Sequence, residues 1–491
     1  MAPSAAIDAL TSILVARFLR SYDYAETLEA FIREAGLDAD AGQSSGDDTD
    51  EWTIQSLLEE KKKYDQNVNF ERYGEENQQS TLWSEPAPSK PVVVQAPTSA
   101  NPLAVSVEQW QWQKPGDEDA AQSYIISTGS DKQVHLFNTK EGNAVVSSLS
   151  NLSDSPVLSF VSILQGRYCL MTNMSGKLIL QYQSQTLDSR KDHKKYAVKV
   201  VAHQDRTDQS KWWVATAGWD EMVILYCLNI PEGDASTLKI GEPFARIKIE
   251  SNPQSLLFVP HVDTNELSLL VSREDSPQIY YYEVKATNEP DSEGDGDGEP
   301  VMSPRGAPLV GQQSLAPRSN SWGAFSPAHM VLSPHDPSLL AVATTSSLHL
   351  KVMIVRLLFP RDPPKVELDF SAQTSQAADV MELLSITNRE DAAILVQANT
   401  FAPQTAYSTP QLAWRPDGSG VWVNGDDGVV RGIETKTGKV VALLKGGHVE
   451  GCKVRTVWSG YVTVPQEGGD LVREEWVISG GFDKRLIIWK V

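Results

Sequence analysis

Three side chains near the end of the sequence have the types that a hydrolytic relay uses: His448, Ser479 and Asp483, followed by Trp489. A serine activated by an imidazole that a carboxylate orients is the nucleophile of many acyl transfers. The surroundings argue against that chemistry. Ser479 falls within the apolar run Trp476-Val477-Ile478-Ser479, whereas such a nucleophile needs a tight elbow that lifts its Oγ clear of the sheet. Gly425-Asp426-Asp427-Gly428 pairs two carboxylates, but its glycines, set between β-rich runs, describe a hairpin turn. Asp295-Gly296-Asp297-Gly298 lacks the flanking helices and terminal glutamate of a calcium loop. Phosphate-loop, dinucleotide and zinc-protease motifs are all missing from the sequence. The expectation is a non-enzyme with no catalytic residues, no cofactor and no metal.

The elements that must carry these residues are strand pairs. The last residues give an apolar run, a turn at Gly480-Gly481-Phe482-Asp483-Lys484 and a second run, Leu486-Ile487-Ile488-Trp489, which together read as a tight hairpin. Ile125–Asn138 and Val214–Asn229 repeat the pattern. In all three, a hydroxyl residue (Ser127, Thr216, Ser479) lies four positions before an aspartate (Asp131, Asp220, Asp483), and an aromatic (Phe137, Tyr226, Trp489) lies six after it. These units resemble the WD repeat. In such a unit the turn aspartate can hold a histidine from the preceding loop, which reaches the strand hydroxyl and an indole N–H, so every buried donor finds an acceptor. The expected sets are His448, Ser479, Asp483 and Trp489 in the last repeat, and His203, Thr216 and Asp220 in the middle one.

Weaker copies of strand, turn and strand occur at Tyr168–Gln181, Leu267–Val284, Leu339–Leu357 and Gly420–Glu434. Turns near 131, 175, 220, 276, 346, 427 and 483 make seven units, the first of them spaced as WD blades of ~40–45 residues would be. The unplaced run Ala392–Val396 leaves six or eight units open. The fold expected is mainly β: a seven-bladed WD-repeat-like β-propeller over 91–491, with an acidic, disordered insertion at about 286–320. The final repeat stops at its third strand, so its outer strand must come from upstream. Val92–Gln95 is the first choice and Leu103–Val107 the second.

Residues 1–37 carry apolar side chains at helical spacing on two short helices joined at Ser21-Tyr22-Asp23-Tyr24. Leu10, Ile13, Leu14, Phe18, Leu19, Tyr24, Thr27, Phe31 and Glu34 resemble the LisH motif, departing from it at Asp23, where that family usually carries Gly, and at Leu28, where it usually carries Ala. The resemblance implies a homodimer formed through a four-helix bundle, with Leu10, Ile13, Leu14, Phe18, Tyr24, Leu28, Phe31 and Ile32 at the contact. Residues 38–90 read as a linker holding an amphipathic helix at about 52–73 and a Pro-rich tether.

The composition bounds the partners. With 43 basic against 64 acidic residues and a net charge of −21, direct nucleic-acid binding is not expected. No apolar run approaches the length of a membrane span. The start Met1-Ala2-Pro3-Ser4 lacks the order of a secretory signal and the three cysteines are scattered, which suggests a cytoplasmic or nuclear location. The expected partners are proteins. A scaffold or adaptor in a multiprotein complex fits best; an acidic escort for a basic client such as a histone or ribosomal protein, and a substrate receptor of a ubiquitin ligase, are the alternatives. Trp219, in the turn before Asp220, and Arg415 and Arg431 are the candidate partner-binding residues.

Overall fold

The structure is a computed structural model that describes residues 3–43, 53–54, 82–110, 122–140, 142–182, 185–231, 235–261, 264, 266–285, 307–316, 325–345, 349–359, 386–405, 407–465 and 471–491. The helix expected at 52–73 lies outside this set, save residues 53–54. The chain divides into two units, each described by itself.

In the first unit, Pro3–Ser21 forms helix α1 and Ala25–Ala35 forms helix α2. The chain reverses at Asp23, whose φ of 59° is the left-handed backbone that glycine adopts most readily. This explains the LisH preference for Gly there; aspartate is among the few side chains that tolerate the same conformation. Helix α2 stops at Gly36, also left-handed, whose amide returns to the carbonyl of Ile32.

The second unit opens with β1 (Lys90–Val94). Blade 1 then holds β2–β5 (Pro102–Trp110, Gln122–Gly129, Val134–Asn138, Val145–Leu149), and blade 2 holds β6–β9 (Val157–Ile163, Tyr168–Asn173, Leu178–Tyr182, Gln185–Arg190). Blade 3 is β10–β13 (Ala197–Gln204, Lys211–Gly218, Met222–Asn229, Ala245–Lys248), and blade 4 is β14–β17 (Pro253–Pro260, Leu267–Arg273, Gln278–Val284, Leu309–Ser314). Blade 5 is β18–β21 (Ser326–Leu332, Leu339–Thr345, His349–Arg356, Ile394–Pro403), and blade 6 is β22–β25 (Leu412–Trp414, Gly420–Val423, Val430–Glu434, Val440–Leu444). Blade 7 contains β26–β28 (Val454–Pro465, Leu471–Gly481, Leu486–Lys490).

Each blade is a four-stranded antiparallel sheet, and the first strands of all seven line one central channel. Middle strands are covered on both faces by neighbouring blades, so they are apolar runs rather than alternations; β7 is buried along its whole length. Outer strands are covered on one face and alternate, as in β13. Every junction between adjacent blades has its own apolar cluster, from Trp110 and Ile179 between blades 1 and 2 to Trp476 and Ile125 between blades 7 and 1.

Strand β1 closes the ring. It pairs antiparallel with β28, Val92 opposite Ile488, and makes the sheet order β1-β28-β27-β26. Leu103–Val107, the other candidate, belongs instead to β2, the channel strand of blade 1. The unplaced run before Val396 enters β21, the outer strand of blade 5. The 286–320 span, expected to be an insertion throughout, contains β17, the outer strand of blade 4; residues 286–306 and 317–320 lie outside the described set. Leu309-Val310-Gly311-Gln312-Gln313 carries little apolar signal because an outer strand is held mainly through its backbone.

A second fastening precedes β1. Trp83 fits a slot over blade 6 floored by Gly420 and Gly432, where an added Cβ would meet the indole at 2.4 Å in each case. The Trp83 amide donates to Glu434 Oε1 at 3.0 Å, the ring meets Trp422 edge-on at 5.0 Å, and the Arg415 guanidinium lies 4.5 Å above it. Ser84 donates to Asp417, and its carbonyl accepts from Arg415. Trp83→Ala should therefore destabilise the propeller by about 2–4 kcal/mol, read as a lower denaturant midpoint. An unchanged midpoint would show that the slot contributes nothing to closure.

Candidate functional site

Blade 7 brings His448, Ser479, Asp483 and Trp489 together. His448 Nδ1 is 3.1 Å from both carboxylate oxygens of Asp483, its Nε2 is 2.8 Å from Ser479 Oγ, and Trp489 Nε1 donates to the same Oγ at 2.9 Å. One proton order satisfies every group: the indole donates to Ser479, Ser479 to Nε2, and Nδ1–H to Asp483. The connectivity is that of a hydrolase relay, but Ser479 is fully buried and its Oγ already has two partners. No substrate can reach it. The set ties the loop before β26 to the turn between β27 and β28.

Blade 3 repeats the design with a different histidine. His193 Nδ1 is 2.9 Å from Asp220, and its Nε2 is 2.9 Å from Thr216 Oγ1. His203, expected in this place, lies on β10 with its ring near Phe258 of blade 4. A histidine already inside the first strand cannot return to the turn beyond the second. The spacing from histidine to hydroxyl, 31 residues in blade 7 and 23 with His193, was the signal that favoured the earlier residue.

Blade 1 lacks a loop histidine, and Thr98 donates to Asp131 in its stead at 2.5 Å. In blade 6 the turn aspartate Asp427 is held by Arg431 at 2.6 Å, so Arg431 is a buried member of the network and not a docking residue. Arg415 is likewise a structural residue and not a docking one. It is fully buried, bonds Glu475 through Nε at 2.9 Å and a terminal nitrogen at 2.7 Å, and supports Trp83. An isolated arginine after a strand gave no sign of a carboxylate partner one blade away.

Trp219 is exposed and packs against Tyr196 with ring centroids 5.2 Å apart. The antiparallel order repeats in every blade, so turns between second and third strands share one end of the ring with the connections between blades. That end also exposes Phe401, Tyr407, Val449 and Phe482, with Tyr407 at 88%. Sequence reasoning found only Trp219, because Tyr407, Val449 and Phe482 stand alone in polar loops and turns and Phe401 lies near the end of the outer strand β21. On the helical hairpin, Ile13 and Tyr24 are exposed, Leu14, Phe18, Phe31 and Ile32 are half-buried and Leu28 is buried; Leu10 is on α1 with its side chain outside the described set. Among the described residues, no helix is long and apolar enough to cross a membrane.

The model of the beta-propeller domain of the family described as UCP007778 matches residues 116–290 and 320–460, and the model of its LisH domain matches residues 9–38. No curated protein matches the sequence. Among solved structures, the Cps50 (Swd1) beta-propeller domain of Myceliophteria thermophila is similar over 82% of this chain and 100% of that one, with 12% identity and a TM-score of 0.48.

Burial pushes the imidazoles of His193 and His448 below the ordinary histidine range, with Asp220 and Asp483 offsetting only part of it. Burial also opposes ionisation of both aspartates, yet the amides of Lys194 and Val449 and the paired imidazoles hold their carboxyls below the usual range. All four groups bind protons more weakly when folded, so the unfolded chain takes up more protons and stability falls as pH falls. The loss should begin near the unfolded histidine value of ~6.5 and deepen through the carboxylate range. Thermal melts across that window should show it, and His448→Gln should shallow the dependence while costing about 1–3 kcal/mol at neutral pH. An identical pH profile in the variant would exclude the pair as its source.

Proposed function

Because the chain belongs to the UCP007778 family, with a LisH domain and a beta-propeller domain in one polypeptide, we propose that it is a non-catalytic, dimeric scaffold for other proteins, working in the cytoplasm or nucleus. The observation that carries this reading is the distribution of exposed apolar side chains. Trp219 with Tyr196, then Phe401, Tyr407, Val449 and Phe482, spread over blades 3 and 5–7 at one end of the ring, and buried polar networks hold the turns at Trp219 and Phe482. Rigid turns lower the ordering cost of binding, and aromatic anchors carry much of the energy at protein interfaces. The histidine relays support the non-catalytic reading, since their hydroxyls are buried and engaged.

Dimerisation would proceed through the helical hairpin. Ile13, Tyr22 and Tyr24 are exposed, and a hairpin this short buries little surface by itself. Pairing two propellers would turn a second weak contact with a partner into an intramolecular one, raising avidity without a new interface.

Light scattering on the purified chain should give a dimer mass, and Ile13→Asp should give a monomer whose propeller melts at the unchanged temperature. A wild-type monomer at micromolar concentration would contradict the dimer. Cross-linking in native extract should recover a set of proteins that Trp219→Ser combined with Tyr407→Ser no longer recovers. Equal recovery would move the docking surface elsewhere.

A further inference from the structure

The channel strands share a construction that one residue breaks. In six blades the first strand carries one extra residue near its start, and the next side chain enters a common layer: Ala104, Ser159, Lys199, Ser255, His329 and Thr456. Three members accept a hydrogen bond from the adjoining blade. Ser159 Oγ takes the Val200 amide at 3.2 Å, Ser255 Oγ the Met330 amide at 3.1 Å, and His329 Nδ1 the Leu412 amide at 3.2 Å. Lys199 cannot accept, yet it occupies this layer in blade 3, and its ammonium reaches across to His329 Nε2 at 3.5 Å.

That meeting is incomplete. With Nδ1 accepting an amide proton, the neutral imidazole must carry its own proton on Nε2, so the 3.5 Å contact sets an N–H donor against an ammonium donor. His329 is buried, and burial with the nearby Lys199 charge keeps it neutral. Two donors at this distance call for an acceptor shared between them. The same cavity, about 690 Å³, is lined by Arg455, the extra residue of β26, and by Arg473, stacked on Tyr461 at 4.0 Å. Neither Lys199 nor Arg455 makes an ion pair among the described residues, and no Asp or Glu is among those lining the cavity. Burial without a counter-charge lowers the proton affinity of Lys199 and of Arg455, so an anion held between them would restore the ammonium and complete the contact, in a chain whose net charge is −21.

We propose that the channel at Lys199, His329 and Arg455 binds a compact phosphate-type oxyanion, free or as the phosphoryl group of a small molecule. The donors come from blades 3, 5 and 7, which alternate around the ring. A tetrahedral oxyanion offers oxygens in several directions to such donors, whereas a carboxylate offers two in one plane. The proposal is independent of the scaffold reading, which concerns the end of the ring.

Calorimetric titration of the full chain with pyrophosphate, in low salt without competing anions, tests it. Saturable binding with one site per chain is expected, with a matching rise in melting temperature. Lys199→Met and Arg455→Met should each weaken it at least about tenfold, while Lys248→Met, on an exposed strand and paired with Glu221, leaves it unchanged. If Lys199→Met fails to fold, Lys199→Arg, which keeps the charge, and Arg455→Met decide. Absence of saturable binding in the wild type, equal affinity in the channel variants, or binding of glutarate as tight as that of pyrophosphate would overturn the assignment.

Discussion

The structure depends on closure of a sheet stack by a strand from the other end of the propeller. A final blade of three strands would expose a row of unpaired amides and carbonyls along β28, an edge open to other chains. Strand β1 covers that edge over Lys90–Val94. Closure also confines entropy: once Val92 is opposite Ile488, every intervening blade has one neighbour on each side and an apolar cluster at each junction. Trp83 fastens the approach to β1 onto blade 6. Arg415 joins the two devices, because it faces Trp83 while holding Glu475 of blade 7. This buried pair costs desolvation, and bidentate geometry with Ser84 and Ser419 as further partners offsets it.

A second constraint repeats around the ring, where the turn between second and third strands must be tied to the connection before its own blade. Blades 3 and 7 use a histidine relay, blade 1 uses Thr98, and in blade 6 Ser408 of the preceding connection donates to Asp426. The shared requirement is satisfaction of a partly buried aspartate, and any donor reaching it serves. In two blades the solution reproduces the atomic connectivity of a nucleophilic relay without its exposure. Connectivity alone therefore does not assign catalysis; access decides it.

Much of the fold was legible because it rests on local signals. Turn residues flanked by β-rich runs marked every hairpin between second and third strands, and Val92-Val93-Val94 disclosed the closing strand. Outer strands were harder to see, since β17 and β21 are defined by the partner that accepts them. At the sites, His448, Ser479, Asp483 and Trp489 could be read from repeat spacing, whereas the role of Arg415 depends on Glu475, a carboxylate 60 positions away that folding brings close; Arg431 has its partner, Asp427, only four positions before it. Lys199 was invisible as a special residue: only the register of six first strands shows that it occupies a position where other blades place acceptors or small side chains.

Amide hydrogen exchange along the chain measures the closure most directly, because protection reports the free energy needed to open each strand. Coupled ends require that the amides of Lys90–Val94 bonded to β28 exchange slowly and open together with β27 and β28. Exchange of β1 at the rate of a free peptide, with β27 and β28 still protected, would mean that the last blade stands on three strands and that the two ends are not joined.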